Sequence, residues 1–501
     1  MPCRSWGSRE PSALRPCCNA SRSSFDPAPA ARGPRKRPAQ RGSPRIVFRA
    51  SSRASGALCI ALIVAAGLWA CTPDEGTARR ERERGERPNV LLIVTDDQRI
   101  ETLSVMPEVR RWFRRNGTEF TPGFVTTPLC CPSRASIFTG RYMHNHGVLT
   151  NLHSREFEHR YSMQAYLQDA GYTTAIIGKY LNALPVTYDP PHFDHYVVPK
   201  DWPYEGGDWN VDGQTRSITT YATSFMRKKA VDFLTDTGPE PWFLTIAPIA
   251  PHGPTIPEPR YADADVPPWE GNPSVGDDRS DKPPLIRQLP AADLERAKRR
   301  RADQLRTLMS VDDLIGRVHD VLARTDQLDD TLAFFISDNG LLWGEFGYGN
   351  KTVPYTSSVQ VPFLMTWPGH VPTGPDDRMA LNVDIAATIV DATGAQPAPG
   401  VPLDGRSLLD QWNRDRILLE YHRYQVFDTP SWRSIRTRTA QYVQYVEGDG
   451  NVTFEEYYDL VEDPWQLNNL LAPGSSVHPG GVDRLRRAVE RYKDCRGEAC
   501  P

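Results

Sequence analysis

Four short apolar runs in this chain each lead into residues able to do chemistry. Val90–Val94 runs through Thr95 into Asp96-Asp97, and Thr173–Ile177 runs into Gly178-Lys179. Trp242–Ile249 leads to Pro251-His252, and Thr331–Ile336 leads through Ser337 to Asp338-Asn339. Three carboxylates and an amide are hard oxygen ligands, suited to Ca²⁺ or Mg²⁺ and not to zinc. Lys179 and His252 add positive charge for an anionic ligand and a group able to move a proton near neutrality. Each piece alone has an ordinary reading. Asp-Asp after a strand is commonly a turn or cap, Asp338-Asn339-Gly340 is a good turn, Lys179 reads as a solvated cation and His252 as a loop residue. Four coincidences at four strand ends outweigh those readings, because in a parallel sheet all four positions lie on the carboxyl edge, where ligands bind.

The rest of the chain supplies the elements such a sheet needs. Apolar runs of this length read as buried parallel strands. Helical patterns lie between them at Pro107–Asn116, Met163–Ala170 and Tyr221–Asp236. The longest pattern spans about Ala292 to Ala323, with Leu305, Leu308, Val311, Leu314 and Val318 on one stripe. The expectation is an α/β fold: a large doubly wound, mixed or parallel sheet flanked by helices over 88–414. Gly253–Pro290, rich in Pro and Asp, reads as a surface loop. From 415 to 501 the texture changes to short strands at Ile417–Tyr421, Trp432–Arg436, Tyr442–Tyr445 and Glu456–Leu460, then a helix at Val482–Tyr492. That predicts a smaller antiparallel C-terminal subdomain.

Residues 1–70 read as a targeting segment. Gly56–Ala70 is apolar but too short for a membrane span of about 20 residues, and it suits a signal-peptide core of about 7–15. Leu68-Trp69-Ala70-Cys71 resembles a bacterial lipobox, which would make Cys71 the lipid-bearing first residue of an exported lipoprotein. A plain secreted protein is the alternative. Residues 71–87 are a polar tether. The net charge of −3 divides into +10 over residues 1–55 and −13 beyond them, which argues against a nucleic-acid binder. Cys495 and Cys500 are spaced to close a small disulfide loop in an oxidising compartment.

The sharpest segment is Cys130-Cys131-Pro132-Ser133-Arg134, followed by Thr139-Gly140. It resembles the signature of the type I, formylglycine-dependent sulfatases, of the alkaline phosphatase superfamily. In that family the first Cys is oxidised to Cα-formylglycine. Only Cys130 has Pro two places on and Arg four places on, so Cys131 reads as a packed thiol. Asp96-Asp97-Gln98, Ile336–Gly340 and Tyr458-Asp459-Leu460 with Asp463-Pro464 look like further family motifs. Thr126–Cys131, Tyr142–His146 and Gly178–Asn182 are most similar to the N-acetylglucosamine-6-sulfatase branch.

The resemblance implies a sulfuric ester hydrolase acting on O-sulfate esters of sugars or glycosaminoglycan-type glycans through a formylglycine-sulfate intermediate. Its metal, Ca²⁺ ahead of Mg²⁺, would be held by Asp96, Asp97, Asp338, Asn339 and residue 130. Arg134 would orient residue 130, Lys179 and Lys351 would hold sulfate oxygens, His252 would be the acid for the leaving alcohol, and Asp338 the base. His144, His146, Asn182 and Trp343 are candidates for a sugar pocket. A formylglycine-generating enzyme is an implied maturation partner. Two departures stand out. Leu181 sits where many sulfatases carry His, and Gly344-Glu345-Phe346 sits where bacterial relatives often have Gly-Glu-His. The competing readings are a phosphonate monoester or phosphodiester hydrolase of the same superfamily, and a non-catalytic surface glycan-binding lipoprotein.

Overall fold

The structure is a computed structural model that describes residues 87–501 other than 239, 477 and 478. The targeting segment, Cys71 and nearly all of the tether lie outside the described residues.

The four apolar runs form adjacent strands of a ten-stranded mixed sheet. Its order is Gly374–Asp376, Thr118–Phe120, Phe363–Thr366, Thr331–Ser337, Asn89–Thr95, Trp242–Ala247, Thr173–Gly178, His195–Pro199, Glu205–Val211, Gln214–Tyr221. The Asn89–Thr95 strand is parallel to both neighbours, with Thr95 opposite Ser337. On the next strand pair Gly178 lies opposite Ala247. This register brings Asp96, Asp338 and Lys179 off the sheet at one edge. The central strands are buried on both faces, as their near-continuous apolar runs require. Val90, Leu92 and Val94 pack on one face with Ile176, Phe334 and Ile336. Leu91 and Ile93 pack on the other with Leu308, Val311 and Leu314 of the long helix Leu294–Arg324. Asp293 starts that helix by accepting the Arg296 amide at 2.9 Å.

Some boundaries differ from the sequence reading. Trp242 to Ile249 is strand only to Ala247, because Pro248 has no N–H for the ladder. The helix at Pro107 passes into a π turn at Arg110–Arg114. The strand expected at Glu456–Leu460 begins at Val452 and ends at Asp459. The sheet's far edge, His195 to Tyr221, carries three strands that the sequence reading missed. Gln214–Tyr221 is mostly exposed and polar, so it has no apolar run to read.

The C-terminal sheet is four-stranded and antiparallel, in the order Ile417–Tyr421, Ser431–Arg436, Ala440–Val446, Val452–Asp459. Helix Val482–Tyr492 covers it with Leu485, Ala488 and Val489. The same core takes in Phe124, Leu129 and Tyr142, so this sheet supports the segment that carries Cys130. Cys495 and Cys500 form the expected disulfide. The Gly253–Pro290 loop has only two short helical turns of its own, Pro259–Tyr261 and Pro284–Arg287. It is tied to the C-terminal portion where the Asn469 amide donates to Asp281 Oδ2 and Lys282 Nζ to the Leu467 carbonyl, both at 2.5 Å.

Candidate active site

Cys130 opens the helix Cys130–Thr139, with Leu129 extended at the cap position. Pro132 is tolerated there because first-turn amides have no helical partner. The helix ends at Gly140, φ 65°, where an added Cβ would lie 3.1 Å from Ala386 Cβ. Position 130 therefore sits at the positive end of a short, fixed helix.

Around it the four strand ends converge. Cys130 Sγ lies 2.8 Å from Lys351 Nζ and 3.5 Å from Asp96 Oδ1. Lys351 also donates to Asp97 Oδ1, and Lys179 Nζ donates to Asp96 Oδ2 at 2.5 Å. Arg134 Nε donates to Asp338 Oδ2 at 2.8 Å and Nη1 to the Lys179 carbonyl at 2.8 Å. Asn339 Nδ2 donates to Asp97 Oδ1 at 2.6 Å. His252 Nε2 stands 3.9 Å from Asp97 Oδ2, while its Nδ1 is 2.5 Å from the Gly253 carbonyl. Nδ1 thus holds a proton against that carbonyl and Nε2 faces the cluster. All nine residues expected as catalytic or metal-holding meet here, and all but His252 are buried.

Burial alone would raise the Asp96 carboxyl, but Lys179, His252, Arg134 and Lys351 hold it well below the usual range. Asp97 is likewise held down against burial, chiefly by Lys351 and His252. Asp338 is raised by burial and by Asp96. Burial and Asp96 push the Cys130 thiol up to about 12, so as a cysteine it is a neutral thiol at pH 7 and a poor nucleophile.

The residues present fit a hard cation. Asp96 and Asp97 offer carboxylate oxygens within 4.8 Å of each other and of Cys130 Sγ, where the matured residue would put an oxygen. The buried Asn339 Oδ1 has no hydrogen-bond donor among the described residues. Three carboxylates already balance Lys179, Lys351 and Arg134, so an anionic ligand would bring surplus negative charge into a buried site unless a cation joined it.

Several expectations are corrected. Asp338 is not the carboxylate that faces residue 130: Arg134 takes its Oδ2, the Asp97 amide approaches its Oδ1 at 3.3 Å, and Asp96 Oδ1 is the oxygen near Sγ. Of the four sugar-pocket candidates, only Asn182 lines the cleft beside Lys179. Trp343 is buried, giving its Nε1 proton to Gln304 Oε1 at 2.5 Å beneath the Arg99 guanidinium. His146 is locked against Ser136 Oγ at 3.0 Å and the Val148 amide at 3.1 Å. His144 joins Glu420 Oε2 at 2.9 Å and the Cys495 carbonyl at 2.9 Å. The two departures are largely buried. Leu181 packs on the core while also lining the cleft beside Lys179, Glu345 pairs with Arg99 at 2.5 Å, and Phe346 packs on Tyr355 at 4.6 Å. Cys131 is a buried free thiol, as expected. The sequence reading missed Trp202, whose ring centre is 5.2 Å from Lys179 Nζ and 5.4 Å from the His252 ring. It lies in a polar loop with no periodic signal.

His144 carries a pH prediction. Burial would lower it, but Glu420 raises it to about 9. Its stabilising effect is full below the unfolded value near 6.5 and is lost as pH rises through about 9. His144→Gln is expected to cost about 2–3 kcal/mol at pH 6, and less at pH 10. Urea midpoints at the two pH values check this, and an unchanged difference would refute it.

Residues 88–395 match the family model described as Sulfatase. The chain belongs to the sulfatase family. A second model, described as N-sulphoglucosamine sulphohydrolase, C-terminal, matches residues 344–480. Among sulfatase relatives, the putative extracellular sulfatase Sulf-1 homolog of Caenorhabditis elegans is 35% identical over 352 residues, covering 64% of this chain and 48% of that protein. The chain thus spans about half the length of that relative. Human N-acetylglucosamine-6-sulfatase is 28% identical over 482 residues, covering 83% of this chain and 86% of that enzyme. A protein solved with its substrate D-glucosamine-2-N,6-O-disulfate shares the fold, with a TM-score of 0.73 at 22% identity over 81% of this chain and 97% of its own.

Proposed function

We propose that this sulfatase-family chain hydrolyses O-sulfate esters of sugars of the amino-sugar or glycosaminoglycan type, with Cys130 matured to formylglycine. The observation that carries this reading is the placement of Cys130 at a helix start, 2.8 Å from Lys351 Nζ and facing Asp96. Cys130 Sγ stands where a hydroxyl of the matured residue would be. Hydrated formylglycine supplies two hydroxyls on one carbon, one to attack sulfur and one to release sulfate. Asp96, Asp97, Asp338 and Asn339 are the residues that would hold Ca²⁺, whose chemistry is to polarise sulfate oxygens.

The chain's own groups do the rest. Lys351 and Lys179 hold sulfate oxygens from two sides of residue 130. Arg134 fixes Asp338 and the Lys179 carbonyl, so it positions residue 130 and the cation site together. His252 delivers a proton from Nε2 to the departing alcohol oxygen. Export is part of the proposal, with a lipid anchor at Cys71 and a formylglycine-generating enzyme as partner. The Cys495–Cys500 disulfide supports an oxidising compartment.

The test is mass spectrometry of the tryptic peptide ending at Arg134, from protein purified from its native host. Formylglycine at position 130 is expected, and unmodified Cys130 in folded native protein would overturn the mechanism. The matured protein should turn over a sulfate ester faster than the matched phosphodiester. Chelation of divalent cations should lower the rate by about 100-fold or more, with recovery on Ca²⁺ better than on Mg²⁺. A rate that survives chelation would remove the metal from the proposal.

A further inference from the structure

The cleft beside Lys179 is shaped for a ring and lacks the charges to receive a second anion. It measures about 190 Å³, and its walls include Trp202, Asn182, Tyr424 and the aliphatic Leu184. Trp202 is half-buried and faces three ways: toward Lys179, toward the His252 ring and into the cleft. A partly exposed aromatic face beside a few placed polar groups is the usual make-up of a small-molecule site. Asn182 is the polar group. It is only 4% exposed, and its Oδ1 has no hydrogen-bond donor among the described residues. A buried amide oxygen left in this state is costly, and a hydroxyl or N–H on a ligand would satisfy it. Among the described residues the lining holds no cation apart from Lys179, and its one carboxylate is Asp201. A second sulfate in this cleft would lose its water without gaining a counter-charge.

We propose that Trp202 and Asn182 form the subsite for the sugar that carries the scissile sulfate. The indole takes one face of the ring, the Asn182 amide bonds a hydroxyl or acylamino group, and rings with uncharged substituents on that side are selected. This inference rests on the sulfatase reading above.

The test uses the full chain with formylglycine at position 130 established by mass spectrometry. Three substrates are compared: a small aryl sulfate, a 6-O-sulfated N-acetylated amino sugar, and its N-sulfated counterpart. The wild type should prefer the N-acetylated sugar to the N-sulfated one by about tenfold or more in kcat/KM. Asn182→Ala should lower kcat/KM on that sugar by about 10- to 100-fold, mainly through KM, and by about tenfold more than on the aryl sulfate. Asn182→Asp keeps the shape and serves if the alanine variant does not fold. Trp202→Leu should show the same differential loss, and Trp202→Phe should recover most of it. Equal losses on sugar and aryl substrates would make both residues general supports of the site and overturn the subsite. A preference for the N-sulfated sugar would overturn the charge selection. A mature wild type inert on all three would sink the sulfatase reading itself, and the subsite with it.

Discussion

Cys130→Ala is expected to lower turnover of any sulfate ester by about 10⁴-fold or more while leaving the fold intact. The substitution removes only the atom that faces Asp96 Oδ1 and Lys351 Nζ. Lys351 keeps its bond to Asp97, and Lys179 keeps its bond to Asp96, so no buried charge is stranded. Initial rates on an aryl sulfate, beside a urea midpoint matched to the wild type, check the result. A residual rate within tenfold of wild type would show that residue 130 is not the nucleophile. The alanine variant also separates binding from chemistry, because the groups that would hold the sulfate remain in place.

Asp384→Ala carries the largest expected cost in stability, about 3–5 kcal/mol. Arg414 meets Asp384 through two parallel bonds of 2.8 and 2.9 Å, with both side chains almost wholly buried. The same carboxylate accepts the Leu381 amide at 2.8 Å and the Arg406 amide at 2.9 Å. Removing it strands a buried guanidinium and two backbone amides together. Arg414 also donates to the Met379 carbonyl and lies 4.8 Å from the Trp412 ring, so the stranded cation cannot swing out without breaking those contacts. Urea unfolding is the measurement, and a loss below about 1 kcal/mol would refute the argument. The double variant Asp384→Leu with Arg414→Met should recover part of the loss, since no unpaired charge then remains.

The sheet's centre was legible because strands buried on both faces must be apolar along their whole length. The residues that follow them, Asp96, Lys179, His252 and Asp338, were legible because parallel pairing puts all such positions on one edge. Lys351 follows from the family resemblance alone, and the structure sets it against Cys130. What escaped depends on partners far along the chain. His144 and His146 look like sugar-pocket residues in sequence, and only Glu420 and Ser136 turn them into structural links. Gly344-Glu345-Phe346 shows in sequence only as a departure from Gly-Glu-His, and Arg99 and Tyr355 are what draw Glu345 and Phe346 inward. Trp202 has no apolar neighbours in register, so nothing short of the folded cleft could single it out. The edge strand Gln214–Tyr221 is nearly as polar as a loop, and only its pairing with Glu205–Val211 makes it a strand.

If Cys130 is matured as proposed, the burial of the signature helix would set an order of events in biosynthesis. Cys130 is 1% exposed and Arg134 is 1% exposed, and every residue from 130 to 139 is buried. No second protein could reach that cysteine once the helix has docked. The lysine that closes over its sulfur lies 221 residues further along the chain. Position 130 therefore emerges from the ribosome long before the groups that will enclose it exist. The oxidising enzyme proposed as partner would have that interval to reach Cys130, and folding would end it. Protein that folds with a plain thiol at position 130 would have to be unfolded before it could be converted.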